Sequence, residues 1–443
     1  MANIYSISLG CPKNRVDAEH LLASIPGIRP VDAVSDAECV IINTCAFIEP
    51  AIRESVAVIA ETIEEIAAST PDKRPLLVVS GCLVGRFGET ELAPELSEVD
   101  LWLDNRDLPA WPEKIRGLLA SRGMVLQSPS RGTRLLSTGP SYAWLKISDG
   151  CDHACAFCTI PAIRGTFHST PEDVLVREAE ELLGYGTREL ILVAQDTTAW
   201  GKDLSAEKGL RTLVERLLPL RGLEWLRILY MYPAGLSREF LGFLRDAGRP
   251  FLPYFDIPVQ HAHPDVLSRM GRPFARDPEK VLDRVREFFP EAALRTSIIV
   301  GFPGETDAHF QALYNFVERM RFLHLGVFAY QAEEGTPAAS MRGRVSRTVK
   351  EERRNALMTL QAEISEELLQ SFVGERMDIL VDAPHPEWPG LFTGRAWFQA
   401  PEIDGLTYVS GPGVEAGNMV QADIVESRVY DLVGLTDPDG ATL

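Results

Sequence analysis

Cys151, Cys155 and Cys158 are spaced x-x-x and then x-x in the stretch Gly150-Cys151-Asp152-His153-Ala154-Cys155-Ala156-Phe157-Cys158. Thiolates at these intervals can wrap one face of an iron–sulfur cube. Electron-transfer cubanes take four thiolates, so three would leave one iron without a protein ligand. An open position on a metal is where substrate chemistry takes place. The competing reading of the same spacing is a zinc knuckle completed by His153 or His168.

Three of the other four cysteines, Cys11, Cys45 and Cys82, each follow a short apolar run, at 4–9, 39–43 and 76–80. Helical patterns separate these runs, which implies a parallel sheet. In open α/β sheets the carboxyl ends of the strands form the ligand crevice. Thiols delivered there from three strands would converge, although they lie far apart in sequence, and would make a second three-cysteine site. The alternative is three small buried hydrophobes, a common fate of cysteine. Cys39 begins its strand, so it is expected at the opposite end of the sheet in a structural role.

The amino terminus shows no signal-peptide pattern, and no apolar run approaches the roughly 18 residues needed to span a bilayer. A cytoplasmic protein is expected, where thiols stay reduced and serve more often as ligands than as disulfides.

The elements that must position these cysteines fall into three parts. At 443 residues, with 45% hydrophobic and 24% charged, the chain fits two or three globular domains. Residues 1–125 carry the parallel α/β pattern, and 126–140 form a linker rich in Ser, Pro, Gly and Arg. Residues 141–371 alternate candidate strands at 143–148, 190–194, 226–230, 254–259, 295–300 and 325–329 with helices such as 171–183, 210–218, 278–289 and 306–320. Six such units predict an open, partial (β/α)6 barrel rather than a closed eight-stranded one. The Cys151 loop follows the first strand and so belongs to the carboxyl face, where barrel sites lie. Gln195, Asp256, Gln260 and Arg295 fall at or near strand ends, where they are candidate cofactor contacts. His261-x-His263 is a weak metal signal, and Gly301-x-x-Gly304 reads as a turn because no Walker-type lysine follows.

After a charged helical connector at 348–369, residues 372–443 read as a small five-stranded all-β barrel of OB-like or TRAM-like type. From Glu375 onward there are three arginines, no lysine and twelve acidic residues, a net charge of −9. Such a barrel repels RNA. With −19 over the whole chain, a basic protein is the better partner.

These features together resemble the methylthiotransferases, a family of radical S-adenosylmethionine (SAM) enzymes, over nearly the whole chain. The Cys151–Cys158 spacing matches that superfamily's cluster loop. Ser8-Leu9-Gly10-Cys11-Pro12-Lys13-Asn14, Asn43-Thr44-Cys45-Ala46-Phe47-Ile48 and Gly81-Cys82-Leu83 resemble the three amino-terminal cluster motifs. Ile160-Pro161-Ala162-Ile163-Arg164-Gly165, Asp256-Ile257-Pro258-Val259-Gln260-His261 and Gly301-Phe302-Pro303-Gly304-Glu305-Thr306 also match. Glu333-Glu334-Gly335-Thr336-Pro337 and Ala400-Pro401-Glu402-Ile403-Asp404-Gly405 look like the branch that modifies an aspartate of small-subunit ribosomal protein uS12.

The resemblance implies two 4Fe-4S clusters, one on Cys151, Cys155 and Cys158 that binds SAM, and an auxiliary one on Cys11, Cys45 and Cys82 that handles the inserted sulfur. Phe157 is a candidate to stack near the adenine, the other reading being loop packing. It further implies an electron donor such as flavodoxin or ferredoxin, and uS12 met free, in an assembly intermediate or in the small subunit. The other branch of the family acts on tRNA adenosine, against which the acidic barrel speaks. A non-enzymatic iron–sulfur carrier would not need two three-cysteine sites. Glu402 and Asp404 are expected to face the basic partner.

Overall fold

The computed structural model describes residues 2–68, 74–124, 132–204, 209–272 and 277–437. In the amino-terminal part, β1 (Ala2–Ser8), β2 (Ile28–Pro30), β3 (Cys39–Thr44), β4 (Leu76–Gly81) and β5 (Leu101–Asp104) form one sheet ordered β2-β1-β3-β4-β5. Every pairing in it is parallel. β3 and β4 are buried along their whole length, which explains their unbroken apolar runs: helices cover both faces of a parallel sheet. β1, β3 and β4 are neighbours, so the three cysteines that follow them leave the same edge side by side. Cys39 opens β3 at the far end, fully buried.

The central part holds β6 (Tyr142–Lys146), a two-residue hairpin of β7 (Ser148–Asp149) and β8 (His168–Ser169), then β9 (Glu189–Val193), β10 (Trp225–Ile228), β11 (Tyr254–Asp256), β12 (Ala293–Val300) and β13 (His324–Ala329). Apart from the hairpin, the six strands run parallel as β6-β9-β10 and β11-β12-β13, linked by a parallel bridge between Leu226 and Phe251. Alternate side chains have opposite fates, as strand periodicity requires. Ala143, Leu145 and Ile147 pack outward on the helices, whereas Tyr142, Trp144, Ile191, Trp225 and Tyr254 line the concave face and pack with the carboxy-terminal domain. Helix Arg238–Ala247, absent from the sequence reading, has a legible start: the Ser237 hydroxyl caps it by accepting from Phe240 N.

Helix Arg347–Gln370 leads to a closed barrel of β14 (Arg376–Pro384), β15 (Leu391–Arg395), β16 (Thr407–Ser410), β17 (Met419–Ser427) and β18 (Leu432–Leu435), ordered β14-β15-β16-β18-β17. The segment between β15 and β16 enters the concave face of the central domain. Arg395 pairs with Glu189, which also holds Arg227 at 2.7 Å. Asp404 lies 3.4 Å from Arg295 and accepts from the Tyr254 hydroxyl at 2.7 Å.

Two expectations are corrected here. Asp404 does not face a partner; its side chain is 2% exposed. Glu402 is engaged by Arg15 at 2.6 Å and Tyr142 at 2.7 Å. The open barrel exposes Arg227 and Arg295 on its inner face, and buried charges require partners; the acidic segment supplies some of them. The linker is likewise no loose spacer where it is described. Arg134 is buried against Glu19, Glu178 and the Trp144 carbonyl, clasping the first domain to the second. Residues 126–131 of the linker lie outside the described residues. Among the described residues, no helix is long and apolar enough to cross a membrane.

Candidate active site

Cys11 caps helix Pro12–Ser24, Cys45 follows β3 directly, and Cys82 opens helix Cys82–Phe87 behind β4. Gly10 has φ +86°, and a Cβ there would lie 2.6 Å from Cys45 Cβ and 2.7 Å from its Sγ. Only glycine brings the end of β1 that close to Cys45. Two buried asparagines tie the loops together. Asn14 Nδ2 donates to Leu9 O and Thr44 O at 2.9 Å each, and Asn43 Nδ2 donates to Asn14 O at 2.6 Å. The Cys82 thiol meets Asn14 Oδ1 at 3.6 Å, and Asn105 Nδ2 donates to Cys82 Sγ at 3.4 Å. Burial pushes the Cys45 thiol up to about 11, with the neighbouring Cys82 and Cys11 adding to the rise. Burial also raises Cys82. The three thiols thus sense one another across three strand ends.

The Cys151 loop is pinned on two sides, by Ala156 N donating to Met270 O and Ala338 N donating to Ala156 O, both at 2.9 Å. Burial raises the Cys158 thiol to about 12, and Cys155 and Cys151 raise it further. Ligation by a metal must displace these protons, so loading and thiol ionisation are linked. Arg272 is 3% exposed; its guanidinium lies 4.6 Å from the Tyr232 ring centre, Nη1 reaches Cys155 Sγ at 3.8 Å, and buried Nε has no partner. No carboxylate lies within 4.0 Å of it among the described residues. A three-thiolate cluster with a buried, unpaired cation beside it is a coherent set, because cation and anion offset each other's burial. The residues therefore fit an anionic iron–sulfur group. They do not fit the zinc knuckle: His153 turns to Asp196 at 2.7 Å and stacks on Tyr232, while His168 is exposed on β8.

The two triads lie on facing sides of one domain interface. Thr159, next to Cys158, donates to Phe47 O at 3.2 Å, two residues past Cys45. Helix Ile160–Arg164 packs on helix Cys82–Phe87 where Gly85 permits it; a Cβ there would lie 2.7 Å from Ile163 O. Behind them Arg164 binds Asp17 at 3.1 Å and Asp149 at 2.9 Å, and Lys146 binds the same two carboxylates.

The remaining sequence candidates divide. Gln195 stands at this interface, its Nε2 donating to Asp149 Oδ1 at 3.2 Å and its buried Oε1 without a partner. Phe157 packs against the cluster of Val266, Met270 and Phe302. Gln260, at φ +71°, joins its backbone to Ser297 and Ile299. Asp256 and Arg295 are paired to each other at 2.9 Å, and Arg295 is held by Asp404. Arg295 is only the third residue of an eight-residue strand, which puts it toward the amino end of the barrel; the expected place at a strand end is corrected. Buried His261 lies beside Glu305 at 3.5 Å, so the His-x-His pair does not converge as a metal site. Sequence reasoning passed over Lys13 and Arg272. Lys13 stands in sequence beside Gly10 and Cys11, a legible signal, whereas Arg272 follows Gly271 with no cysteine nearby and meets Cys155 only in the fold.

Family models match the chain in three places: the uncharacterized protein family UPF0004 at residues 3–104, the radical SAM superfamily at 145–317 and the TRAM domain at 373–436. The chain is 65% identical over 436 residues to ribosomal protein uS12 methylthiotransferase RimO of Nitratidesulfovibrio vulgaris strain DP4, covering 98% of this chain and all of that one. The chain belongs to the RimO family. RimO of Oleidesulfovibrio alaskensis is 63% identical, with 98% of this chain and all of that one covered, and RimO of Lawsonia intracellularis is 53% identical, with 98% and 97% covered. Among solved structures, the radical SAM methyltransferase TsrM of Kitasatospora setae with tryptophan and a SAM analog superposes with TM-score 0.55 at 14% identity, over 90% of this chain and 79% of that one. That likeness concerns the fold alone. RimO proteins are radical SAM enzymes, and the family's 4Fe-4S clusters and SAM agree with the donor sets described above.

Proposed function

We propose that this chain replaces a hydrogen on the β-carbon of one aspartate in ribosomal protein uS12 with a methylthio group. Cys151, Cys155 and Cys158 would hold the cluster that binds SAM, and Cys11, Cys45 and Cys82 the auxiliary cluster. When bound, these cofactors supply the radical that abstracts an unactivated hydrogen, the inserted sulfur and the methyl group. The chain's own residues perform the rest. Asn14 and Asn43 fix the auxiliary thiols, and Met270 and Ala338 fix the Cys151 loop. Asp17, Asp149, Lys146 and Arg164 lock one set against the other. Cys45 and Cys82 are buried and the other four thiols are half-buried, which limits the access of water to reactive species.

The observation that carries this reading is the meeting of two three-thiol sets at one interface, since an electron carrier has no use for two open irons. The net charge of −9 in the last domain favours a basic ribosomal protein over tRNA. We place the reaction in the cytoplasm, with a flavodoxin- or ferredoxin-type donor.

Anaerobically reconstituted protein is expected to bind roughly eight irons, and replacing Cys151, Cys155 and Cys158 by Ala to leave about half. Replacing Cys11, Cys45 and Cys82 by Ala should stop methylthio transfer to isolated uS12 while 5′-deoxyadenosine still forms. Loss of both activities in a folded protein would contradict the division of roles.

A further inference from the structure

Lys13 is two residues past Cys11, in the first turn of helix Pro12–Ser24, and only 7% exposed. Its side chain stays within electrostatic range of Cys11. It crosses into the central domain, where Nζ lies 3.5 Å from the centre of the Tyr230 ring and 3.4 Å from Ala194 O. Ala194 follows β9 and Tyr230 follows β10, so the ammonium sits at the carboxyl ends of two barrel strands. Tyr230 holds that place at φ +57°, with its N–H bound to Asp256 at 3.0 Å. A left-handed conformation is unusual for an aromatic residue and recurs where a site demands it.

An ammonium has three N–H donors; this one has a single long hydrogen bond to the backbone, at Ala194 O, and otherwise only the Tyr230 side chain and the Cys11 thiol near enough to favour its charge. No carboxylate lies within 4.0 Å of it among the described residues. Among the described residues the arginines equally buried do have one, in that Arg134, Arg164, Arg227, Arg353 and Arg395 are each ion-paired. The exceptions are Lys13 and Arg272, each over a tyrosine of the same loop, Tyr230 and Tyr232. Arg272 reaches a cysteine sulfur; Lys13 has no hydrogen bond to one. A buried cation left without an anion is costly, and its unused donors point to a ligand that brings a carboxylate.

We propose that Lys13 binds the side-chain carboxylate of the target aspartate and so positions its β-carbon between the two cysteine triads. This rests on the function proposed above and deepens it. The amino-terminal domain then contributes, through one turn of helix, both the thiol Cys11 and the substrate anchor. A site built around an unpaired ammonium rejects a neutral side chain, because binding would leave the charge buried and unsatisfied. Lys13 thereby selects aspartate over asparagine.

The test measures affinity, without turnover, for two synthetic uS12 peptides, one with the target aspartate and one with asparagine in its place. The wild-type holoenzyme should prefer the aspartate peptide by roughly 30-fold or more, the scale for one partner of a buried charge pair. Lys13→Gln should abolish that preference by weakening the aspartate peptide alone, and Lys13→Arg should restore part of it. An equal loss for both peptides would overturn the proposal, as would wild-type protein that binds both alike. Lost SAM affinity in Lys13→Gln with the peptide preference intact would assign the ammonium to the methionyl carboxylate instead, and also overturn it. If the wild type binds neither peptide and leaves uS12 unmodified, the functional reading itself has failed.

Discussion

Arg164 Nη1 donates to Asp17 Oδ2 across 3.1 Å, joining the helix that begins after Cys158 to the helix that begins after Cys11. Both side chains are almost wholly buried. Each helix is rigidly continuous with a cysteine of its own triad, so this contact holds one triad in register with the other. Asp149 and Lys146 complete the buried set.

Asp17→Asn should therefore do more than loosen the fold. Removing one member of a buried ion-pair set costs about 3 kcal/mol, readable as a lowered urea midpoint. Methylthio transfer is expected to fall further than 5′-deoxyadenosine formation, since only transfer needs both triads in register. Equal losses would mean the contact is merely structural.

Acid should attack the same set. Burial disfavours the charge on Asp149, but Lys146 and Arg164 more than offset this and hold its carboxyl well below the usual range. A folded value below the unfolded one, about 3.9, gives stability that is complete above that pH and is lost as pH falls toward the folded value. The wild-type urea midpoint should drop steeply below about pH 4. Asp149→Asn, already weaker at neutral pH, should show a shallower drop.

Gly10→Ala isolates the auxiliary site. The new methyl would overlap Cys45 Cβ and Sγ, at a φ that L residues avoid. Iron analysis should show loss of about half the metal, with SAM cleavage retained. Full iron content would mean that Cys45 can move aside.

Asp404→Asn addresses the docking of the last domain. It removes the carboxylate that Arg295 and His324 share, at a cost of about 3 kcal/mol. Limited proteolysis should then cut the connector near residue 372 faster than in the wild type, while iron content stays the same.

What could be read from the sequence followed the range of the interactions. The Cys151 loop is local, so its spacing alone marks it as a candidate site. Cys11, Cys45 and Cys82 are distant in sequence, yet each is a strand end, so period and punctuation placed them together. The strands β2 and β5 escaped notice because their three or four residues lie outside the long apolar runs that mark β1, β3 and β4. Asp404 read as a surface acid because its partners, Arg295, Tyr254 and His324, lie 80 residues or more away and appear only when the barrel is seen to be open. The same holds for Lys13, whose neighbours Ala194 and Tyr230 belong to another domain.

The central claim is tested most directly by mass spectrometry of ribosomal protein uS12 and of tRNA hydrolysates from a strain lacking this gene beside its parent. Parental uS12 should carry one SCH3 group in place of a hydrogen on a single aspartate, the deletion strain should lose it, and methylthio-adenosine in tRNA should be the same in both. Unchanged uS12 with loss of the tRNA modification would contradict the account.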